Sequence, residues 1–327
     1  MSLSTKEELV NPVKNELRKV EIELKNYSNS AYPLINEINL YLHESRGKRI
    51  RPAVLFLVSK LCGIEGDEVV KLGTVVELLH VATLVHDDII DKAYLRRGQV
   101  SVNSQWGSEV SVLMGDWMYM TAFQIALELR SLRILDVLIE LTRTMVAGEM
   151  MQLDLDRKIE ISVRDQIDIC QRKTAHLFSA CSSLPVIFSG APLEVQENLT
   201  EYGKSLGMVF QITDDMLDYT ADQKGVGKPV MKDLEEGKIT LPIIFLLEKA
   251  NQSERDLISE ILLEGEISSK KKLEIISLVK RYRTLEQTRE IANEYVSRAV
   301  QALSMFPDSP ARSSLMALPN YILNRIQ

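Results

Sequence analysis

Two acidic clusters of one design carry most of the chemistry available to this sequence. Asp87-Asp88-Ile89-Ile90-Asp91 and Asp214-Asp215-Met216-Leu217-Asp218 share the same spacing. On an α-helix the first and last aspartate of each cluster lie one turn apart on the same face. Each follows an apolar run that reads as a helix, so the acids fall at its C-terminal end, where the helix dipole is negative and opposes them. Three carboxylates in such a place cost stability unless a cation offsets them. Hard divalent cations take oxygen ligands, and Mg²⁺ keeps several waters while sharing carboxylates with a substrate phosphate. One such pattern alone reads most simply as a solvated, charged helix end. Its repetition favours two facing ledges that hold a diphosphate through several Mg²⁺.

Basic residues that could answer a diphosphate occur in four places. Lys48, Arg49 and Arg51 cluster at a helix start, where free N–H groups favour anions. Arg96 and Arg97 follow the first acidic cluster, Lys173-Thr174 falls within a helical stretch, and Lys228 and Lys238 lie in a glycine-rich stretch. Arginine's fork matches phosphate oxygens, and lysine acts as a point charge. Taken singly, each also reads as solvated surface charge. Helical spacing puts His80, Thr83, Asp87 and Asp91 on one stripe, and Gly203, Gly207, Phe210 or Gln211, Asp214 and Asp218 on another. Glycine there costs roughly 1 kcal/mol each relative to alanine, and admits a ligand or a second backbone.

Other chemistries fit less well. Glu77-Leu78-Leu79-His80 is the ExxH pattern of di-iron bundles, but these need a second copy, which the sequence lacks. A packed core histidine competes with a ligand-contacting one at this position. Cys62, Cys170 and Cys181 are odd in number and widely spaced, giving neither a disulfide framework nor a zinc site. No Ser-His-Asp or Cys-His nucleophile pattern stands out.

The elements that must position these residues read as helices. Apolar residues recur at three- and four-residue spacing along nearly the whole chain, with little two-residue alternation. Only 15 Gly and 10 Pro occur among 327 residues, and 45% of residues are apolar against 26% charged. That composition excludes a mostly disordered chain. The net charge of −7 argues against nucleic acid as a partner. The spacing predicts helices over 5–26, to Glu44, 68–91, 108–129, 133–155, 163–189, 193–220, 239–250, 253–264, 268–282 and 284–305, with Pro52 at the first position of another. Residues 92–106 read as a loop, and Ala221–Lys238 as the one mobile stretch. The chain reads as a single all-α domain over 1–327. Uninterrupted apolar runs are short, and the N-terminus is charged at Lys6, Glu7 and Glu8. We therefore expect a cytoplasmic protein with no signal peptide and no membrane anchor.

The sequence resembles the trans-isoprenyl diphosphate synthase family (polyprenyl synthetases) from Gly47 to at least Pro242. Its motifs stand in family order: GKRIRP at 47–52, HVATLVHDDIID at 80–91, RRG at 96–98 and GDW at 115–117. GEMMQLD follows at 148–154, KTA at 173–175, FQITDDMLD at 210–218 and GKPVMKDLEEGKITLP at 227–242. The resemblance implies long helices around a deep central cavity, and a homodimer. It implies three Mg²⁺ held by Asp87, Asp88, Asp91, Asp214, Asp215 and Asp218 on an allylic diphosphate. Arg96, Lys173, Thr174, Gln211, Lys228 and Lys238 would support that diphosphate, while Lys48, Arg51, His80 and Arg97 would bind isopentenyl diphosphate. Among these, Asp87, Asp88, Asp91, Arg96, Lys173, Asp214 and Lys238 are the expected catalytic set. Met231 stands where the family commonly has glycine, so the loop that closes over the site is expected to move differently.

Ionisation of the allylic diphosphate, attack by the isopentenyl double bond and loss of a proton would then lengthen the chain. In this family the residues four and five before the first acidic motif help set product length; here they are Thr83 and Ala82, both small. Ala82 lies about 7.5 Å deeper along the helix, with Phe123 as a candidate stop. We expect an all-trans product longer than farnesyl, a quinone side-chain precursor. Geranylgeranyl or farnesyl diphosphate synthase is the alternative. A terpene cyclase would normally replace the second acidic motif, and a silent subunit of a heteromeric synthase would have lost acidic or basic residues that this chain keeps.

Overall fold

The three-and-four spacing of apolar residues is realised as helix along most of the described chain. The computed structural model describes residues 5–44, 47–220 and 231–326. In chain order the elements are α1 (Lys6–Val10), α2 (Lys14–Tyr27), α3 (Pro33–Glu44), α4 (Ile50–Leu61) and α5 (Asp67–Ile90). A short hairpin of β1 (Leu95–Arg96) and β2 (Gln99–Val100) precedes α6 (Val102–Trp106), α7 (Ser108–Glu128) and α8 (Leu132–Leu155). Then come α9 (Val163–Cys170), a π-helical turn at Gln171–Ala175, α10 (His176–Phe188) and α11 (Leu193–Leu217). The chain ends with α12 (Lys232–Glu235), α13 (Leu241–Lys249), α14 (Gln252–Glu264), α15 (Ser269–Tyr282), α16 (Thr284–Ala302) and α17 (Pro310–Leu323).

Most helices fall where periodicity places them, with several corrections. The helix expected over 5–26 is broken at Asn11–Val13 by a 3₁₀ turn, and α12 falls within the stretch expected to be mobile. Residues 92–106 are not simply loop: they hold the hairpin and α6. The helix expected over 163–189 is interrupted by the π-helical turn. Helix α17 lies beyond the last expected element. Pro52 is the third residue of α4 rather than its first, and its missing N–H is still harmless there because the first turn has no internal acceptor.

Residues group into two compact units: Met1–Glu140, Ala180–Thr200 and Phe306–Leu315 in one, and Leu141–Ser179, Glu201–Met305 and Met316–Gln327 in the other. In the first, α5 packs along α7 and against α2 and α4. Helix α5 is long and apolar enough to cross a bilayer, with a window of mean hydropathy 1.5, so the short uninterrupted runs understated it. Yet 67% of that window is buried within the fold, which makes it a core helix. Close packing with α7 depends on Gly115: a Cβ there would collide with the His86 imidazole. Left-handed Lys92 (φ 49°) turns the chain out of α5, and the Ala93 N–H donates to the Asp88 carbonyl at 2.9 Å. In the second unit, α13 packs on α9, α15 and α16 with Leu241, Ile243, Ile244 and Leu246 buried.

Candidate active site

The first acidic cluster closes the C-terminal end of α5. Asp88 is buried, and the Arg96 guanidinium holds it twice, Nε to Oδ1 at 2.7 Å and Nη2 to Oδ1 at 2.5 Å. The hairpin makes that reach possible. Arg97 and Gly98 form its two-residue loop with φ of 54° and 82°, the geometry that matches strand twist. Arg97 in turn lies over Gly47, where an added Cβ would come within 2.6 Å of Nη1. Glycine thus brings the GKRIRP and RRG segments together.

Arg51 and His80 meet in the same unit. Arg51 Nη1 lies 3.1 Å from His80 Nε2. Arginine only donates, so Nε2 is the unprotonated ring nitrogen. His80 is held well below its ordinary pKa by burial, and then by the positive charges of Arg51, Arg97, Arg49 and Arg96. A neutral imidazole ringed by guanidinium groups is a surface prepared for a polyanion. Lys48, next in sequence to Arg49, is exposed.

Below the cluster, Thr83 and Ala82 take different faces. The Thr83 hydroxyl donates back to the His80 carbonyl at 2.8 Å, and the residue is only partly buried. Ala82 is fully buried in a cluster with Ile38, Val85, Val102, Met114 and Met118. Phe123 is partly buried on α7. Tyr119 is pushed up to about 12 by burial, with the Asp87 and Asp116 charges adding to the shift.

The second acidic cluster ends α11 and is tied into a polar chain. The Thr174 hydroxyl donates to Gln211 Oε1 at 2.6 Å, and Gln211 Nε2 donates to Asp215 Oδ1 at 2.8 Å. Gln166 Nε2 reaches Asp215 Oδ2 at 3.4 Å. The π-helical turn presents Lys173 and Thr174, and two glycines flank it. A Cβ on Gly148 would meet Arg172 Cβ at 2.7 Å, and one on Gly207 would meet Ala175 Cα at 2.5 Å. Gly207 therefore admits a second backbone, not a ligand. Lys173 pairs with Glu149 at 2.5 Å and Lys238 with Glu236 at 2.8 Å, so each ammonium already faces a carboxylate.

Asp214 accepts from Arg325 Nη1 at 3.1 Å. Asp218 accepts from the backbone N–H groups of Lys232 and Asp233, both at 3.1 Å, and so anchors α12. Met231, at the start of that helix, is fully buried with φ 63°. The position thus demands a left-handed residue, which costs a side-chain-bearing residue about 1–2 kcal/mol and explains why glycine suits it. Lys228 lies outside the described residues, as does the 221–230 part of the expected mobile stretch.

Donor chemistry in the second unit fits a hard dication. Asp215 is pushed up to about 7 by burial, and the Asp214 and Asp218 charges add to this. Asp233 is also raised by burial and by the Asp218 and Asp215 charges. Stacked, desolvated carboxylates of this kind call for compensating positive charge. Among the described residues no three of His, Cys, Asp and Glu converge on a site that would hold an ion unaided. Dispersed oxygen donors suit Mg²⁺, which keeps waters and substrate oxygens in its shell.

A sequence model described as polyprenyl synthetase matches residues 32–279. The chain belongs to the polyprenyl synthetase family. Octaprenyl diphosphate synthase of Haemophilus influenzae is 33% identical, the match covering 99% of this chain and 98% of that one. Among solved structures, a decaprenyl diphosphate synthase from Rhodobacter capsulatus superposes with TM-score 0.94 at 31% identity, covering 99% of this chain and 100% of that one. A polyprenyl synthase from Caulobacter crescentus, complexed with calcium and isoprenyl diphosphate, gives TM-score 0.94 at 30% identity with both chains fully covered. The all-α fold is thus that of polyprenyl synthases.

Within this polyprenyl synthetase, the quoted motifs hold the acids and most of the cations expected at the site. They missed Asp233, Glu149, Gln166 and Arg325. Asp233 and Glu149 lie inside quoted motifs, so their position was visible while their role was not. Gln166 and Arg325 stand in no motif, and only tertiary packing brings them to Asp215 and Asp214.

Proposed function

We propose that this polyprenyl synthetase condenses isopentenyl diphosphate with an allylic diphosphate to build an all-trans polyprenyl diphosphate longer than C15, a quinone side-chain precursor. The observation that carries the reading is the retention of both aspartate clusters, each accompanied by cations and amides suited to a diphosphate, in a chain like the octaprenyl and decaprenyl synthases over its full length. The aspartates of both clusters hold Mg²⁺, three ions in the full complement. Bound Mg²⁺ supplies positive charge to the departing pyrophosphate. Lys173, Thr174, Gln211, Arg96, Lys228 and Lys238 hold and orient the allylic diphosphate, adding fixed donors where negative charge builds. Arg51, His80, Arg97 and Lys48 hold isopentenyl diphosphate, with His80 neutral and its Nε2 accepting from Arg51. The small residues Thr83 and Ala82 put no bulky side chain in the way of a long tail.

The homodimer is part of this reading. Helix α7 exposes Leu113, Met120 and Leu127, and α8 exposes Leu132, Ile139, Val146 and Leu153, each set at seven-residue intervals. Apolar seams at heptad spacing are suited to a partner helix, and a second copy supplies one.

The test is incubation with Mg²⁺, isopentenyl diphosphate and each of dimethylallyl, geranyl and farnesyl diphosphates, followed by sizing of the products. Products beyond C15 that vanish on chelation are expected. Release of no pyrophosphate by the purified protein alone would favour a silent subunit, and a product ending at C15 would overturn the assignment of length.

A further inference from the structure

Arg49 looks by sequence like one more anion ligand beside Lys48 and Arg51, but its guanidinium is already committed. Nε donates to Glu21 Oε1 of α2 at 2.7 Å, Nη2 reaches Glu21 Oε2 at 3.4 Å, and Nη1 pairs with Glu77 Oε1 of α5. The Arg49 side chain is 12% exposed and that of Glu77 only 2%. A diphosphate taking this guanidinium would have to strip a buried carboxylate of its partner and lie against its uncompensated charge. The backbone is held as firmly. Arg49 has φ 51° at the N-terminal cap of α4, and its carbonyl accepts the Ala53 N–H at 3.1 Å. Left-handed backbone at a residue with a side chain persists only where its surroundings impose it.

That joint sits between Lys48 and Arg51. Glu77 and His80 are three residues apart, on one face of α5. One turn of α5 therefore receives Arg49 at Glu77 and Arg51 at His80. We infer that Arg49 is a positioning residue: a buried strut, clamped by Glu21 and Glu77, that fixes the Gly47–Pro52 segment so that Arg51 meets His80. Glu21 and Glu77 belong to the same device. This inference rests on the reading of Arg51 and His80 as ligands of isopentenyl diphosphate.

Glu21→Gln tests it. The Glu21 side chain is 29% exposed and Arg49 keeps Glu77, so the variant folds, as circular dichroism would check. A strut that is loosened raises KM for isopentenyl diphosphate at least about fivefold, with kcat and the allylic KM within about twofold. Arg49→Lys, which keeps the charge and loses the fork, gives the same split and covers the case in which the first variant is unstable. If Arg49 were itself an anion ligand, Glu21→Gln would release the part of its guanidinium that Glu21 holds and lower that KM. Either a lowered or an unchanged KM overturns the inference. Arg51→Gln is the control for the underlying reading. If it leaves the isopentenyl KM unchanged, the ligand assignment has failed rather than the strut.

Discussion

Gly207→Ala isolates the demand that the π-helical turn makes on α11. The added Cβ would stand 2.5 Å from Ala175 Cα and 3.1 Å from both Ala175 Cβ and Phe178 Cβ. Carbon atoms pack at about 3.5–4.0 Å, so the turn and the helix must separate by about 1 Å. The atom that blocks is backbone, which cannot rotate away as a side-chain tip could. Overpacking of this kind costs about 1–3 kcal/mol, offset by about 1 kcal/mol from alanine's better helix propensity. Net destabilisation is therefore small, about 0–2 kcal/mol. Activity should suffer far more. Gln211 lies one turn beyond Gly207 and accepts the Thr174 hydroxyl at 2.6 Å, so the displacement opens that bond and carries Lys173 with it. A misplacement of about 1 Å in a positioning group costs on the order of 100-fold in rate. Thermal melting beside steady-state pyrophosphate release measures both. A melting temperature that rises with kcat/KM kept within about threefold would refute the spacer role of Gly207.

Three further outcomes follow from other parts of the chain. Thr83→Phe should shorten the product at little cost in stability. Ala82→Tyr should also shorten it while losing about 1–3 kcal/mol to crowding against Met114 and Met118. Unchanged product lengths in both variants, sized by thin-layer chromatography of radiolabelled products, would remove this pair as length determinants. The His80 pKa is depressed in the folded chain, so its stabilising contribution is complete above about pH 6.5 and is lost as the pH falls toward the folded value. Denaturant titrations should show wild-type stability falling by up to about 1.4 kcal/mol per pH unit more steeply than His80→Gln below pH 6.5; parallel curves would contradict a neutral His80. Met120→Glu combined with Ile139→Lys should convert the proposed dimer into a folded monomer in sedimentation velocity, and an unaltered sedimentation coefficient would contradict the proposed interface.

How far the sequence revealed the molecule depended on whether local pattern or tertiary packing set each feature. Long amphipathic or wholly apolar helices such as α5 and α11 follow from spacing, because burial acts on every turn of them. The hairpin escaped notice because its loop is Arg97-Gly98 rather than the asparagine- or aspartate-glycine that usually marks a two-residue turn. The π-helical turn has no local signature: Gly148 and Gly207 admit it from two other helices. Met231 was visible as a residue in a glycine's place, and its φ of 63° supplies the reason. At the site, the aspartate clusters and the KTA and RRG motifs could be read directly. Asp214's contact with Arg325 spans 111 residues, and no spacing rule reaches that far. Arg49 is the converse case: its residue type and place in a basic cluster suggest a ligand, and only tertiary packing reveals its two carboxylate partners, Glu21 and Glu77.

The proposed function requires that both aspartate clusters act on one diphosphate through divalent metal. A double-mutant cycle tests it most directly: incorporation of radiolabelled isopentenyl diphosphate by Asp87→Asn, Asp214→Asn and the double variant. Groups that act as a unit are strongly non-additive. Each single variant should lose at least about 1,000-fold in kcat/KM, and the double no more than about tenfold beyond the worse single. Losses that multiply, or a cluster whose removal leaves the rate intact, would contradict the account.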